Sequence, residues 1–69
     1  MEKKILIVED ERKIADTLKF GLNEKGFNVD VAYDGNVGYR LFSANDYDHL
    51  QMKGCYNPFF IRYLQSNRI

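Results

Sequence analysis

Two adjacent carboxylates, Glu9 and Asp10, are the residues of this chain best placed to do chemistry, because they directly follow a continuous apolar run over residues 5–8. Such a run predicts a strand that is covered on both faces. Carboxylates at the turn after a strand can point their oxygens into one cavity, and oxygens are the ligands that Mg²⁺ prefers. The same acids would stabilise the start of a helix by ~0.3–1 kcal/mol each without any metal. The residues alone leave both interpretations open.

A helical period begins directly after these acids. Ile14, Leu18 and Leu22 recur at every fourth residue, and charged residues occupy the other faces. This spacing predicts an amphipathic helix with one face turned to a core. We expect Asp10 to cap its N-terminus and Gly26 to end it.

A second strand and a second helix follow in the pattern. Phe27, Val29 and Val31 alternate with polar residues, which predicts a half-buried strand. A turn at residues 34–35 precedes a short second helix that ends near residues 43–45, and residues 46–48 resemble the approach to a third strand. Strands that alternate with helices predict an α/β fold with a parallel, doubly wound sheet. Ligands of such sheets lie beyond the carboxyl ends of the strands. The apolar face of the second helix consists of Val37, Leu41 and Phe42.

The small size and neutral composition exclude several classes of protein. The chain has 69 residues, one cysteine (Cys55) and one histidine (His49), so neither an internal disulfide nor a structural zinc site is expected. Ten acidic residues balance ten basic ones, which argues against direct nucleic-acid binding. No apolar run is long enough to span a membrane, and a free cysteine fits the cytoplasm. Without a nucleophile–base constellation or a Gly-rich phosphate loop, we do not expect an enzyme.

The neutral total hides an abrupt change in composition after residue 48. Residues 1–48 hold all ten acidic residues and seven of the ten basic ones. Residues 49–69 hold three basic residues, no acid, the only proline and four of the ten aromatic residues. A step of this kind indicates two segments of different origin or role, or chance clustering in a short tail.

An ordered set of motifs in the first part of the chain resembles the start of the receiver domain of bacterial two-component response regulators, in the class whose receiver precedes a winged-helix DNA-binding domain. The resemblance covers residues 2–48. Its motifs are Lys-Ile-Leu-Ile-Val-Glu-Asp-Glu at 4–11, Gly-Phe-Asn-Val at 26–29, Ala-Tyr-Asp-Gly at 32–35 and Asp-Tyr-Asp at 46–48.

The resemblance implies a fold and a partial site. It implies a truncated, flavodoxin-like βαβα unit with an irregular or helical C-terminal tail. The family's Mg²⁺-binding acidic pair falls on Glu9 and Asp10. The family's phosphoacceptor aspartate would follow four apolar residues after Asp48, but this chain has His-Leu-Gln-Met and then Lys53. The acceptor is therefore missing, the Mg²⁺ site is incomplete, and we expect metal binding to be weak or absent.

The point where the resemblance stops coincides with the change in composition. We therefore predict a partial receiver domain at 1–48 and an unrelated tail at 49–69 that derives from a shifted reading frame or from inserted DNA. The expected product is a truncated receiver that does not accept phosphate and that lacks its output domain. The alternatives are a kinase-docking fragment that competes with the intact regulator, and a non-functional product.

The tail has two structural interpretations. Its dense apolar stretch, residues 58–64, fits a short helix that starts at Pro58, or a strand that stands in for the missing third one. The helix is favoured because residues 65–67 continue no strand pattern. In either case we expect the aromatic residues to cover exposed sheet.

The expected partner is a sensor histidine kinase, docked on the helix over about residues 11–25 as the resemblance implies. No contact with nucleic acid or membrane is expected. An uncovered sheet face and edge in so small a fold predict marginal stability and non-specific self-association.

Overall fold

An alternating series of strands and helices forms a three-stranded parallel sheet with the strand order β2-β1-β3. The computed structural model describes residues 3–53. The α/β class with a parallel, doubly wound sheet that the sequence predicts is confirmed. The strands are β1 (Lys4–Glu9), β2 (Asn28–Ala32) and β3 (His49–Lys53), and the helices are α1 (Arg12–Glu24) and α2 (Gly35–Ala44).

The central strand β1 divides the core into two layers because its side chains alternate between the faces of the sheet. Leu6 and Val8 face α2, and Ile5 and Ile7 face α1. These four side chains are buried, which explains why β1 is a continuous apolar run. On the α1 side, Leu18, Leu22 and Val29 complete the layer; on the α2 side, Val37, Leu41, Phe42 and Ala32 do so.

Helix α1 ends as its sequence predicts but begins one residue later than expected. Gly26 has a φ of +91°, which is accessible at low cost only to glycine. The Gly26 N–H donates to the Asn23 carbonyl over 3.0 Å, and the Phe27 N–H donates to the Leu22 carbonyl over 3.1 Å, which is a Schellman motif. The prediction that Asp10 is the N-cap is wrong, because Glu11 holds that position, without a capping hydrogen bond from its side chain.

One residue of the predicted apolar face of α1 is not in the core. Ala15 is fully buried, whereas Ile14 remains 43% exposed. Ile14 lies on a flank of the helix and not on the side that meets the sheet.

Helix α2 begins with a side-chain cap at the predicted turn. The Val37 N–H donates to Asp34 Oδ1 over 2.8 Å. This bond satisfies one of the N–H groups that the first turn of a helix leaves without a partner.

We expect Asp34→Ala to lower the free energy of unfolding by about 0.5–2 kcal/mol, because the cap is lost and nothing replaces its oxygen. Urea unfolding followed by circular dichroism measures the change. Asp34→Ser is the matched control, since serine retains a capping oxygen and should cost only a small part of that loss. Equal losses in the two variants would show that the cap contributes nothing.

The third strand is where the structure goes beyond the sequence expectation. The resemblance implies a βαβα unit with an irregular or helical tail from residue 49 onward; this expectation is wrong for residues 49–53, because His49–Lys53 is a strand paired with β1. Leu50 and Met52 are half-buried against the α2 layer, and the residues that alternate with them, His49, Gln51 and Lys53, are exposed. A strand with one buried face needs apolar residues only at alternate positions, so the polar residues do not prevent its formation.

Residues 54–69 lie outside the described part, and with them lie both interpretations of the apolar stretch at 58–64. The proposed division between 1–48 and 49–69 concerns the origin of the sequence and stays a prediction. Over residues 3–53, no helix is both long enough and apolar enough to cross a membrane.

Candidate functional site

The carboxyl edge of the sheet brings Glu9, Asp10 and Lys53 together, because parallel strands all end at the same edge. Glu9 is the last residue of β1 and only 5% exposed, while Asp10 is exposed. Lys53 is the last residue of β3 and pairs in register with Glu9. Both predicted carboxylates therefore lie at the edge where ligands of such sheets bind, with an amine on the neighbouring strand.

The register also places the side chains of Glu9 and Lys53 on the same face. Their preceding neighbours, Val8 and Met52, are register partners and both pack in the α2 layer. Because side chains alternate along a strand, Glu9 and Lys53 both point to the α1 side.

One carboxylate oxygen of Glu9 is bound to the backbone. The Glu11 N–H donates to Glu9 Oε2 over 3.1 Å, directly before the first turn of α1. Glu9 thus stabilises the chain where it enters the helix. This role resembles the stabilisation of a helix start without a metal ion, which is one of the two interpretations that the sequence left open. The first turn of α1 itself contains no acidic residue.

The donor set at this edge does not fit the magnesium ion that the family resemblance implies. Mg²⁺ requires oxygen ligands in near-octahedral arrangement. Within residues 3–53, no group of three or more histidine, cysteine, aspartate or glutamate side chains is placed to hold a metal ion. Lysine offers no acceptor and adds a positive charge, which repels a cation. Two carboxylates beside Lys53 are a poor magnesium site.

The register that brings Lys53 to Glu9 is fixed at the opposite edge, where β1 and β3 begin. The Lys4 N–H donates to Asp48 Oδ2 over 2.8 Å, and the Asp48 N–H donates to the Lys4 carbonyl over 2.7 Å. The Lys4 ammonium lies 5.1 Å from the centre of the Tyr47 ring, and the Tyr47 hydroxyl donates to Asp30 Oδ2 over 2.6 Å. These contacts tie the start of β3 to both other strands, since Asp30 belongs to β2.

The Tyr47–Asp30 hydrogen bond is partly buried. Among the polar contacts that hold this register, we therefore expect it to contribute most to the stability of the fold. Burial, and then the hydrogen bond to Asp30, raise the pKa of the Tyr47 hydroxyl above its ordinary value of 10.0. The hydroxyl therefore remains a donor throughout the physiological range.

We expect Tyr47→Phe to lower the free energy of unfolding by about 1–3 kcal/mol, because the Asp30 carboxylate loses its donor in a partly buried place. Chemical denaturation measures it. Tyr33→Phe is the matched control: the Tyr33 hydroxyl also donates to a carboxylate, Asp16 Oδ1, over 2.7 Å, but at an exposed site. We expect the control to unfold almost as the native chain does, because its hydrogen bond is exposed to water. A control that costs as much as Tyr47→Phe would contradict this assignment.

Sequence reasoning missed both tyrosine–aspartate bonds. Each joins residues 17 positions apart, so no helical or strand spacing could indicate them. Around Tyr33, the only available signal was the i, i+4 pair of opposite charges at Arg12 and Asp16, which lie on one side of a helix. The Arg12 guanidinium lies 4.1 Å from the centre of the Tyr33 ring.

No protein-family model matches the chain. The chain is 53% identical over 45 residues, which is 65% of its length, to the transcriptional regulatory protein CusR of Escherichia coli strain K12. The CusR protein of Escherichia coli O6:H1 matches with the same identity over the same length. The chain spans about a fifth of the length of these relatives, since the match covers 20% of each. With the parallel βαβαβ arrangement, this similarity confirms that a segment of the chain resembles the N-terminal part of a response-regulator receiver domain.

Proposed function

We propose that the chain is a truncated receiver domain of a two-component phosphorelay, located in the cytoplasm, that does not accept phosphate and has no catalytic residue of its own. The observation that carries the proposal is the place of Lys53, at the end of β3 and in register with Glu9. The resemblance assigns the phosphoacceptor aspartate to this position. Transcription regulation is a property that the relatives' name states of them, and the chain spans about 20% of their length.

The chemistry of lysine explains why the site would be inactive. Phosphoryl transfer to a receiver forms an acyl phosphate, and only a carboxylate oxygen can be its nucleophile. The ammonium of Lys53 lacks a free electron pair, and its charge opposes the Mg²⁺ ion that would neutralise the phosphoryl oxygens. Glu9 and Asp10 remain as ancestral ligands of an incomplete magnesium site that holds the ion weakly or not at all.

Phosphoryl transfer from a small donor tests the proposal. The chain is incubated with acetyl phosphate and Mg²⁺, and intact mass spectrometry detects any added phosphoryl group. We expect no adduct under conditions that label an intact receiver domain in a parallel reaction. An acid-labile adduct on any aspartate of the chain would overturn the proposal.

A second candidate function is supported by the outer surface of α1. Phe20 is 69% exposed on this helix, so a large apolar side chain is accessible on its outer surface. The resemblance implies that this helix docks a sensor histidine kinase, so the fragment could occupy the kinase and compete with the intact regulator.

A competition assay, in which the chain and the intact regulator compete for the kinase, distinguishes a kinase-docking fragment from a non-functional product. The native chain should reduce phosphoryl transfer from the kinase to its intact regulator, and Phe20→Ser should relieve that inhibition. Arg40→Ser, on the exposed side of α2, is the control and should inhibit as the native chain does. No inhibition by the native chain would indicate a non-functional product.

A further inference from the structure

The side of α1 that faces away from the sheet carries a regular row of exposed residues. Ala15 is buried, and Leu18 and Leu22 pack in the α1 layer of the core, so these three mark the side that meets the sheet. The row on the other side, which we call the outer stripe, recurs at spacings of four, three and four residues and consists of Lys13, Thr17, Phe20 and Glu24. Such spacings keep residues on one side of a helix, and they are the pattern by which two helices pack along each other.

Apolar surface is exposed in and beside the outer stripe. Phe20 is 69% exposed, and Ile14, on the flank of the stripe, is 43% exposed. An open apolar depression of about 260 Å³ connects the stripe with that flank and is lined by Lys13, Ile14, Thr17 and Leu18. Burial of apolar surface is the main driving force of association, so this side of α1 gains most from contact with another molecule.

Gly21 lies on the same flank as Ile14, seven residues or nearly two turns further along the helix. A Cβ atom at Gly21 would meet no other atom of the described part within 4 Å, and its φ is not positive. The described fold therefore does not require glycine here, although glycine inside a helix costs roughly 0.5–1 kcal/mol relative to alanine. What glycine does offer at this position is close approach of another backbone to α1.

The charges of the outer stripe are complementary to themselves across an antiparallel pair of helices. The midpoint between Lys13 and Glu24 is also the midpoint between Thr17 and Phe20. A two-fold axis at this point places Lys13 of each copy opposite Glu24 of the other, and Phe20 opposite Thr17. A parallel pair would instead place equal charges opposite each other.

The flank of the stripe fits the same axis. The midpoint between Ile14 and Gly21 lies only one residue from the axis along the helix. Because an antiparallel two-fold axis brings equal flanks together, Ile14 of each copy faces the space that Gly21 leaves in the other. The apolar, the charged and the small residues of this surface therefore agree on one arrangement.

We propose that the outer face of α1 binds a second copy of this chain as an antiparallel, two-fold symmetric pair. Ion pairs between Lys13 and Glu24 lie at both ends, with Phe20 and Ile14 between them. This pair differs from association through the uncovered sheet, because it uses the helix alone and has one register. A helix of 13 residues is about 20 Å long, so the interface is smaller than that of a stable dimer and the pair is weak.

Sedimentation equilibrium of the full chain from micromolar to millimolar concentration tests the proposal. We expect the native chain to dimerise in this range. Lys13→Glu and Glu24→Lys should each raise the dissociation constant of the dimer about tenfold, because each replaces two ion pairs by two contacts between like charges. Both substitutions match the helix dipole, so the fold should be retained.

An equimolar mixture of these two variants restores opposite charges at both ends of the pair, and so does the double variant. We expect both samples to dimerise about as tightly as the native chain. A native chain that stays monomeric would overturn the proposal and leave this face of α1 to a kinase. Single variants that associate as the native chain does, or a mixture that associates no better than either variant alone, would also overturn it, because the helix register would then not matter.

Gly21→Leu tests the close approach of the two helices. Leucine is a better helix former than glycine, so the fold should be retained. We expect the dissociation constant to rise about tenfold, which corresponds to about 1.4 kcal/mol. Lys19→Leu is the matched control, since it places the same side chain about 200° away around the helix, and it should leave the constant unchanged. Equal constants for Gly21→Leu and the native chain would overturn the proposal.

Contacts between copies of the native chain decide the matter without any variant. Nuclear Overhauser contacts are recorded between the Ile14 methyl groups of one labelled chain and the Gly21 α-protons of another, in a mixed sample at millimolar concentration. The two residues are about 10 Å apart along one helix, so a contact can arise only between copies. We expect this contact, and its absence would overturn the proposal. None of these measurements involves phosphoryl transfer, so their failure is distinct from failure of the proposed function.

Discussion

We expect Leu6→Ala to abolish cooperative folding of the chain. Leu6 is fully buried in the central strand, where it contacts the α2 layer. Truncation of a buried leucine to alanine costs about 2–5 kcal/mol. A core of this size supplies only about 3–5 kcal/mol in total, so the loss removes most or all of the stability.

Thermal and urea unfolding, monitored by near- and far-ultraviolet circular dichroism, measure this effect. The control is Phe20→Ala, which removes a larger apolar side chain from a position that is 69% exposed. We expect the control to change the free energy of unfolding by no more than about 0.5 kcal/mol. A Leu6→Ala variant that unfolds with the native midpoint would contradict the assignment of β1 as the centre of the core.

The second large effect is a gain of metal binding in Lys53→Asp. The substitution replaces the cation in register with Glu9 by a third carboxylate, beside Glu9 and Asp10. Oxygen ligands of this kind bind Mg²⁺, and removal of the ammonium removes the repulsion. We expect the variant to bind Mg²⁺ in the millimolar range or tighter, with amide chemical-shift changes at residues 9, 10 and 53, whereas the native chain shows none at the same concentration.

Lys53→Met separates the two parts of this effect. Methionine is similar in length to lysine but provides neither a charge nor an oxygen ligand. We expect the methionine variant to remain close to the native chain, because loss of repulsion alone does not complete the ligand set. Binding by Lys53→Met as tight as that of Lys53→Asp would mean that residue 53 contributes no oxygen to the site, and binding by the native chain would show that Lys53 does not obstruct it.

Most of the fold could be predicted because its signals are local. The apolar run over 5–8, the glycine at position 26 and the alternation of Val29 and Val31 each depend on neighbours within a few residues. These signals correctly give β1, the end of α1, and β2. The parallel arrangement then follows from the alternation of strands and helices.

The start of α1 and the extent of β3 were harder to predict for a physical reason. Asp10 is of a residue type that N-caps prefer, and only the backbone geometry shows that Glu11 holds the position, without a side-chain cap. His49 and Gln51 interrupt an apolar run, but they are compatible with a strand because their face of the sheet is exposed in the described part. Whether such a segment forms a strand depends on which face of the sheet is covered, and the local sequence pattern does not contain that information.

The candidate site was predictable in its residues but not in its contacts. The sequence indicates Glu9, Asp10 and Lys53 through their order along the chain. The hydrogen bond from the Glu11 N–H to Glu9 and the register between Glu9 and Lys53 depend on the tertiary structure. The link between Tyr47 and Asp30, which helps to set that register from the opposite edge, joins residues that have no local relation.

The register between β1 and β3 is the feature to measure, because the position of Lys53 beside Glu9 carries both the proposed function and the gain of Mg²⁺ binding expected in Lys53→Asp. Backbone nuclear Overhauser contacts in the native chain report this register. We expect contacts that pair Ile7 with Gln51 and Glu9 with Lys53. A register shifted by one residue, or the absence of contacts between these strands, would remove Lys53 from the side of Glu9 and contradict the proposed function.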